Sequence, residues 1–71
     1  MKLHSSKPQV VLEMYYRLKN GRGLEVEEST QEFDISPRTF YRYVSLLRKF
    51  FEEHREGKLI KDAKTKKYRL A

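Results

Sequence analysis

Cysteine is absent from this chain, so disulfide staples, thiolate zinc sites and cysteine nucleophiles are all excluded, and a reducing, cytosolic setting fits. Long apolar runs are absent as well. Charged residues make up 37% of the 71 and the mean hydropathy is -0.85, which argues against any membrane span. The opening Met1-Lys2-Leu3-His4-Ser5-Ser6-Lys7 has no hydrophobic segment before Pro8, so no signal peptide is expected. Glycines number three, and Gly21-Arg22-Gly23 lacks the strand–helix context of a phosphate-binding loop. His4 and His54 stand without a second ligand at metal spacing and read as surface residues. The carboxylates of Glu25 to Glu32 read as a helix face and not as a catalytic pair. Neither an enzyme nor a metal or cofactor site is expected.

What the chain does have is an excess of positive charge. Sixteen Lys and Arg face ten Asp and Glu, for a net charge of +6 and a pI near 9.7. A small basic domain attracts nucleic acid by neutralising phosphates and releasing counterions. The plainer role of such charge is solubility, and placement decides between the two. Acids gather at Glu25 to Glu32 and Glu52 to Glu56, whereas Lys58 to Arg69 holds six cations and one acid. That asymmetry favours a basic face. With 38% apolar residues, five Tyr and four Phe, the chain can bury one compact core, so residues 1–71 read as a single domain with a flexible lead at 1–6.

Taken in order, Pro8 to about Lys19 forms an amphipathic first helix. Val11, Met14, Tyr15 and Leu18 make its inner stripe, and Val10, Leu12 and Tyr16 widen it toward a second burial side or a dimer contact. Gly21 can end this helix in the left-handed conformation. Leu24-Glu25-Val26 reads as a short extended entry. A second helix follows from Glu27 to about Phe33, with Val26, Thr30 and Phe33 as core candidates and acids in its first turn. Asp34-Ile35 connects, with Ile35 buried under the turn.

Ser36 then caps a third helix whose first residue, Pro37, loses nothing by lacking an N–H. Phe40, Val44, Leu47 and Phe51 follow at spacings of four, three and four, one face of a helix. Gly57 is expected to stop it. The Tyr15, Tyr16, Phe40, Tyr43, Phe50 and Phe51 rings are assigned to the core. From Lys58 the period changes to two, and Lys67-Tyr68-Arg69-Leu70 reads as the second strand of a hairpin with Tyr68 and Leu70 inward. The expected fold is mainly α with a small β-hairpin: three helices plus a C-terminal wing, a winged helix–turn–helix.

At residues 24–48 the chain resembles the DeoR-type winged-helix domain, also found at the N-terminus of WYL-domain transcriptional regulators. Leu24, Val26, Glu28, Phe33, Ile35, Ser36, Arg38, Thr39, Phe40, Arg42, Val44 and Leu47 occupy the matching positions with identical or similar residues. Leu59-Ile60, Asp62 and Tyr68-Arg69-Leu70 resemble that family's wing. Ser29-Thr30 replaces the usual Leu-Ala, Asp34 the turn glycine and Tyr43 an aspartate, while Lys66 or Lys67 stands where wing glycines are common. The resemblance implies a DNA-binding regulator, commonly a homodimer, with an effector domain following. The chain is then either a fragment extending beyond Ala71 or a stand-alone binder, cytoplasmic and nucleoid-associated.

Arg38 and Arg42 sit four apart on the outer side of the third helix, where a guanidinium reaches guanine O6 and N7 or clamps a phosphate. Ser36, Pro37 and Thr39 lie at the helix start, the two hydroxyls within reach of phosphates. Tyr41 divides evenly between a backbone or thymine contact and surface packing. Arg48 and Lys49, farther along, suit phosphates. Lys64, Lys66, Lys67 and Arg69 form a basic wing. The expected function is sequence-specific double-stranded DNA binding, with a recognition helix at about 37–54 and a wing at 58–70. The alternative is a winged-helix protein-interaction module that uses its acidic second helix or broad first-helix face.

Overall fold

The computed structural model describes residues 7–71. Its elements are α1 (Lys7–Lys19), α2 (Val26–Phe33), α3 (Pro37–Glu53), β1 (Leu59–Lys61) and β2 (Tyr68–Leu70). This is the expected winged-helix arrangement of three helices followed by an antiparallel hairpin. The flexible lead expected at 1–6, and with it His4, lies outside the described residues. Among the described residues no helix is long and apolar enough to cross a membrane.

The ends of the helices follow from local chemistry. At the end of α1, Gly21 takes a φ of 80°, and the N–H groups of Gly21 and Arg22 return to the carbonyls of Leu18 and Arg17. That double return satisfies carbonyls the helix leaves open. α2 opens one residue earlier than expected, because the Glu25 side chain accepts from the Glu28 N–H at 2.7 Å and so serves as the cap. It closes at Asp34, which adopts φ 55° in place of a glycine. α3 ends without the help of Gly57. Arg55 turns left-handed at φ 53° and the Glu56 N–H bonds back to the Phe51 carbonyl, so the helix is already closed.

Gly57 serves the sheet instead. Its φ is 132°, and a Cβ there would meet the Ala71 carbonyl oxygen at 2.6 Å, where Lys58 and Ala71 exchange two backbone hydrogen bonds. The hairpin register pairs Leu59 with Leu70, Ile60 with Arg69 and Lys61 with Tyr68. Leu24 adds a third edge by exchanging hydrogen bonds of 2.8 and 2.7 Å with Tyr68.

One core joins all elements: Val10, Met14 and Leu18 from α1, Leu24, Phe33 from α2, Phe40, Tyr43, Val44, Leu47 and Phe51 from α3, and Leu59 from β1. Tyr68 and Leu70 pack on it half-buried, as does Ile35. The α3 stripe is as expected. The α1 stripe is rotated from the expected one: Val10 and Arg17 join Met14 and Leu18 inside, Val11 and Tyr15 are half-buried, and Leu12 and Tyr16 are exposed. In α2, Ser29 is buried beside Phe33 while Val26 and Thr30 are only half-buried. Two rings assigned to the core, Tyr16 and Phe50, lie at the surface.

Arg17 is the unexpected member of the interior. It is 5% exposed, and its guanidinium forks onto both oxygens of Glu32 while its Nε donates to Glu13 at 3.0 Å. The same group lies 4.9 Å from the centre of the Phe33 ring. The planar fork matches a carboxylate in a way a lysine does not. Hydrogen bonding to Glu32 holds the Arg17 pKa above its ordinary value and, reciprocally, holds the Glu32 carboxyl below its own. α1 and α2 are thereby clamped by charge as well as by apolar contact.

Two stability predictions follow from these contacts. Gly57→Ala should cost about 2 kcal/mol, from a disfavoured φ and a clash with backbone, and lower Tm by roughly 10 °C in calorimetry. Because the Glu32 pKa is depressed by folding, its contribution is present above the ordinary value of about 4.3 and is lost as pH falls through the lower folded value. Glu32→Gln should therefore cost about 3 kcal/mol near neutrality and flatten the loss of stability below about pH 4 in urea titrations.

Candidate nucleic-acid interface

The start of α3 is built by its own cap. The Ser36 hydroxyl accepts from the Thr39 N–H at 3.1 Å and donates to the Thr39 hydroxyl at 3.0 Å. Pro37 takes the first helical position. Ser36 and Thr39 are thus engaged with each other; Ser36 is exposed and Thr39 half-buried.

Because Phe40, Val44, Leu47 and Phe51 hold one side of α3 to the core, the opposite side is determined by the 3.6-residue period. Arg38, Arg42, Ser45 and Lys49 lie along that outermost line, and all four are exposed. Arg48 is exposed one flank over, seven residues after Tyr41. None of Arg38, Arg42, Arg48 and Lys49 forms an ion pair with another described residue, so their charge is directed outward. Lys49 belongs to this row as much as Arg42 does. Spacing alone places it there once the buried stripe is known.

Tyr41 is not free of the fold. Its ring meets Phe40 edge-on at 5.4 Å and Tyr68 of β2 at 6.5 Å and 73°. Tyr68 also lies 6.0 Å from Phe40, and Lys61 sits 5.6 Å over its outer face. A chain of rings thus runs from α3 to the wing. Packing is what the structure assigns to Tyr41, although it keeps 42% of its surface exposed.

The wing tip is organised by Asp62. Its Oδ1 accepts from the N–H groups of Lys64 and Thr65 at 2.9 and 3.4 Å, and its backbone pairs with Lys66 and Lys67. Lys66 adopts φ 59°, the left-handed position where a glycine is common, and the Thr65 hydroxyl accepts from the Lys67 N–H at 3.3 Å. Lys64 and Lys66 are exposed, and Lys67 is half-buried with its stem close over Gly23. Arg69 is exposed but reaches back to Asp62 at 3.7 Å, so part of its charge is neutralised within the wing. Lys61, on β1, was not among the expected contacts. Its place opposite Tyr68 depends on hairpin register, which no local pattern supplies.

The sequence-predicted residues therefore fall into two groups brought together by Tyr41 and Tyr68: the α3 row and the wing tip. The His54 ring stacks on Phe50 at 4.1 Å. Among the described residues no cluster of three or more His, Asp or Glu suits a metal.

The ring chain predicts that Tyr41→Ala loosens the wing at a cost of about 1 kcal/mol. Amide exchange at residues 62–68 should accelerate, whereas Tyr41→Phe should leave it unchanged.

Comparison of the chain with protein-family models, with curated proteins and with solved structures gives no match, so the reading of this interface rests on its own residues and geometry.

Proposed function

We propose that this domain is a DeoR-type winged helix that binds double-stranded DNA sequence-specifically, as a transcriptional regulator or its DNA-binding part. The N-terminal half of α3 enters the major groove and the basic wing lies on adjacent backbone or in the minor groove. The observation that carries this reading is the outermost row of α3. Arg38 and Arg42 project from a capped helix with no ion pair to another described residue, beside a wing whose tip is cationic.

In this reading each element has a chemical role. Arg38 and Arg42 offer two parallel N–H donors apiece, the geometry that fits guanine O6 and N7. Arg48 and Lys49 take phosphates. Lys64, Lys66 and Lys67 add sequence-independent attraction, with Lys61 behind them. Ser36 and Thr39 act mainly by shaping the start of α3, and Arg69 mainly by bracing the wing. One module binds weakly by itself. Two copies on half-sites about one helical turn apart, or an effector domain beyond Ala71, belong to the same proposal.

A mobility-shift titration against a selected duplex tests it. Arg38→Ala and Arg42→Ala should each lose about tenfold or more in specific binding, since a bidentate base contact is worth about 1–3 kcal/mol. With roughly five phosphate contacts, log K against log[salt] should have a slope of about -4 to -5, and Lys64→Ala or Lys66→Ala should each reduce it by about 1. If both arginine variants bind the selected duplex as the parent does, the recognition-helix assignment fails. Silence of residues 36–49 and 62–69 in an NMR titration with mixed duplex would point to the protein-interaction module instead.

A further inference from the structure

The flank of α3 that faces α1 carries a groove that the core leaves open. Lys7 and Arg42 border it together at one end, and at the other the Tyr15 ring packs on Phe50 and Phe51, so the two helices run side by side in the same direction. Two hollows between them share Val11, Leu12 and Leu46. One, of about 310 Å³, is lined by Val11, Leu12, Tyr15, Leu46, Leu47 and Phe50, and its exposed surface is entirely apolar. The other, of about 940 Å³, adds Lys7, Arg42 and Lys49. Leu12 and Leu46 stand as the walls, 65% and 59% exposed. From Lys7 to Tyr15 the groove is about 12 Å long, the length of two helical turns.

The charge that lines this groove has one sign. Lys7, Arg42 and Lys49 border it, and none of them forms an ion pair with another described residue. The acids of α1 and of the turn after α3 are engaged elsewhere: Glu13 with Arg17 at 3.0 Å, and Glu56 with Lys19 and Tyr15. Glu52 and Glu53 come only at the end of α3, past Phe50. An apolar floor offers nothing to phosphates, so the duplex that suits the outer row does not suit this groove. What fits it is a ligand with apolar side chains along its centre and carboxylates along its edge.

We infer that the groove between α1 and α3 receives an acidic amphipathic helix of a different protein. Apolar residues of that helix at i, i+4 and i+7 seat between Leu12 and Leu46, and its carboxylates meet Lys7, Arg42 and Lys49. The apolar seat supplies most of the affinity, and the cationic rim selects an acidic partner over a basic one. Arg42 and Lys49 stand on the edge that the groove shares with the outer row of α3. A helix seated here therefore occupies two of the cations that the DNA reading assigns to the duplex. The acidic helix and DNA exclude each other, which makes the partner a regulator of DNA binding. Docking rests on the groove alone, whereas the exclusion rests on the DNA reading.

A synthetic helix of about 16 residues tests the docking by fluorescence anisotropy with the full chain. It carries leucines at i, i+4, i+7 and i+11 and glutamates on both flanks; a twin has lysines in place of the glutamates. The chain should bind the acidic helix in the micromolar range and the lysine twin at least about tenfold more weakly. Leu12→Glu and Leu46→Glu should each weaken the acidic helix at least about tenfold, while circular-dichroism melting and the duplex mobility shift stay as in the parent. Lys7→Ala should weaken it about threefold. Saturating duplex should weaken the acidic helix, and the acidic helix the duplex, by the same factor. No binding of the acidic helix up to about 1 mM overturns the inference. So does equal binding of the lysine twin, binding that survives both leucine substitutions, or a ternary complex in which helix and duplex leave each other's affinity unchanged. A groove already closed by a second copy, seen as a dimer in sedimentation velocity that Leu12→Glu dissolves, overturns it as well. A chain that binds the acidic helix but no duplex keeps the docking and fails the DNA reading, and the exclusion with it.

Discussion

Burial of Phe40, Val44, Leu47 and Phe51 along one stripe of α3 is the constraint on which the other features of this domain depend. With that stripe held at the core, the helical period leaves no freedom in what the remaining faces present. Arg38, Arg42, Ser45 and Lys49 must point outward, Tyr41 and Arg48 must turn to the wing flank, and Leu46 and Phe50 must turn to the α1 flank. One helix therefore holds the core, offers a cationic row, anchors the wing and exposes an apolar shoulder. Phe40 and Phe51, both fully buried, make this division sharp. A rotation of α3 by even a third of a turn would take large rings into water.

The second organising contact is ionic. Arg17 is almost closed from solvent, yet each of its three nitrogens donates to a carboxylate, and the guanidinium lies over the Phe33 ring. Burying such a charge is unfavourable unless it is paired, and Glu32 and Glu13 provide the pairing. The clamp holds the short α2, whose Ser29 and Thr30 favour helix weakly, against α1. A lighter tie works at the same C-terminal end of α1, where Lys19 Nζ and the Tyr15 hydroxyl both reach Glu56 Oε1, at 3.0 and 3.2 Å. Together these contacts set the angle at which α3 is presented.

Wing and helix are coupled by aromatic packing and not by charge. Tyr68 is hydrogen-bonded through its backbone to Leu24, stands opposite Lys61 in the hairpin register, and meets Phe40 and Tyr41 through its ring. The cationic tip at Lys64, Lys66 and Lys67 is consequently carried on a strand that α3 itself positions. Asp62 spends its carboxylate on the turn and on Arg69, so the acid within the basic wing opposes little of the outward charge.

By itself the sequence determined the element order, the cap at Ser36, the α3 stripe, the left-handed turn at Asp34 and the basic character of both α3 and the wing. Each of these is a local property, set by spacing within one element or by the chemistry of one side chain. Tertiary structure decided the rest. Which side of α1 is buried could not be read, because Val10, Val11, Leu12, Met14, Tyr15, Tyr16 and Leu18 offer more apolar positions than one stripe can hold, and only the fit against α3 selects among them. Arg17 looked like any helical cation until Glu32, fifteen residues away, closed on it. The bridge from Leu24 to Tyr68, the ring contact of Tyr41 with Tyr68 and the seat of Lys61 all join residues far apart in the chain. No periodicity records such a juxtaposition, because its energy exists only when the two elements meet.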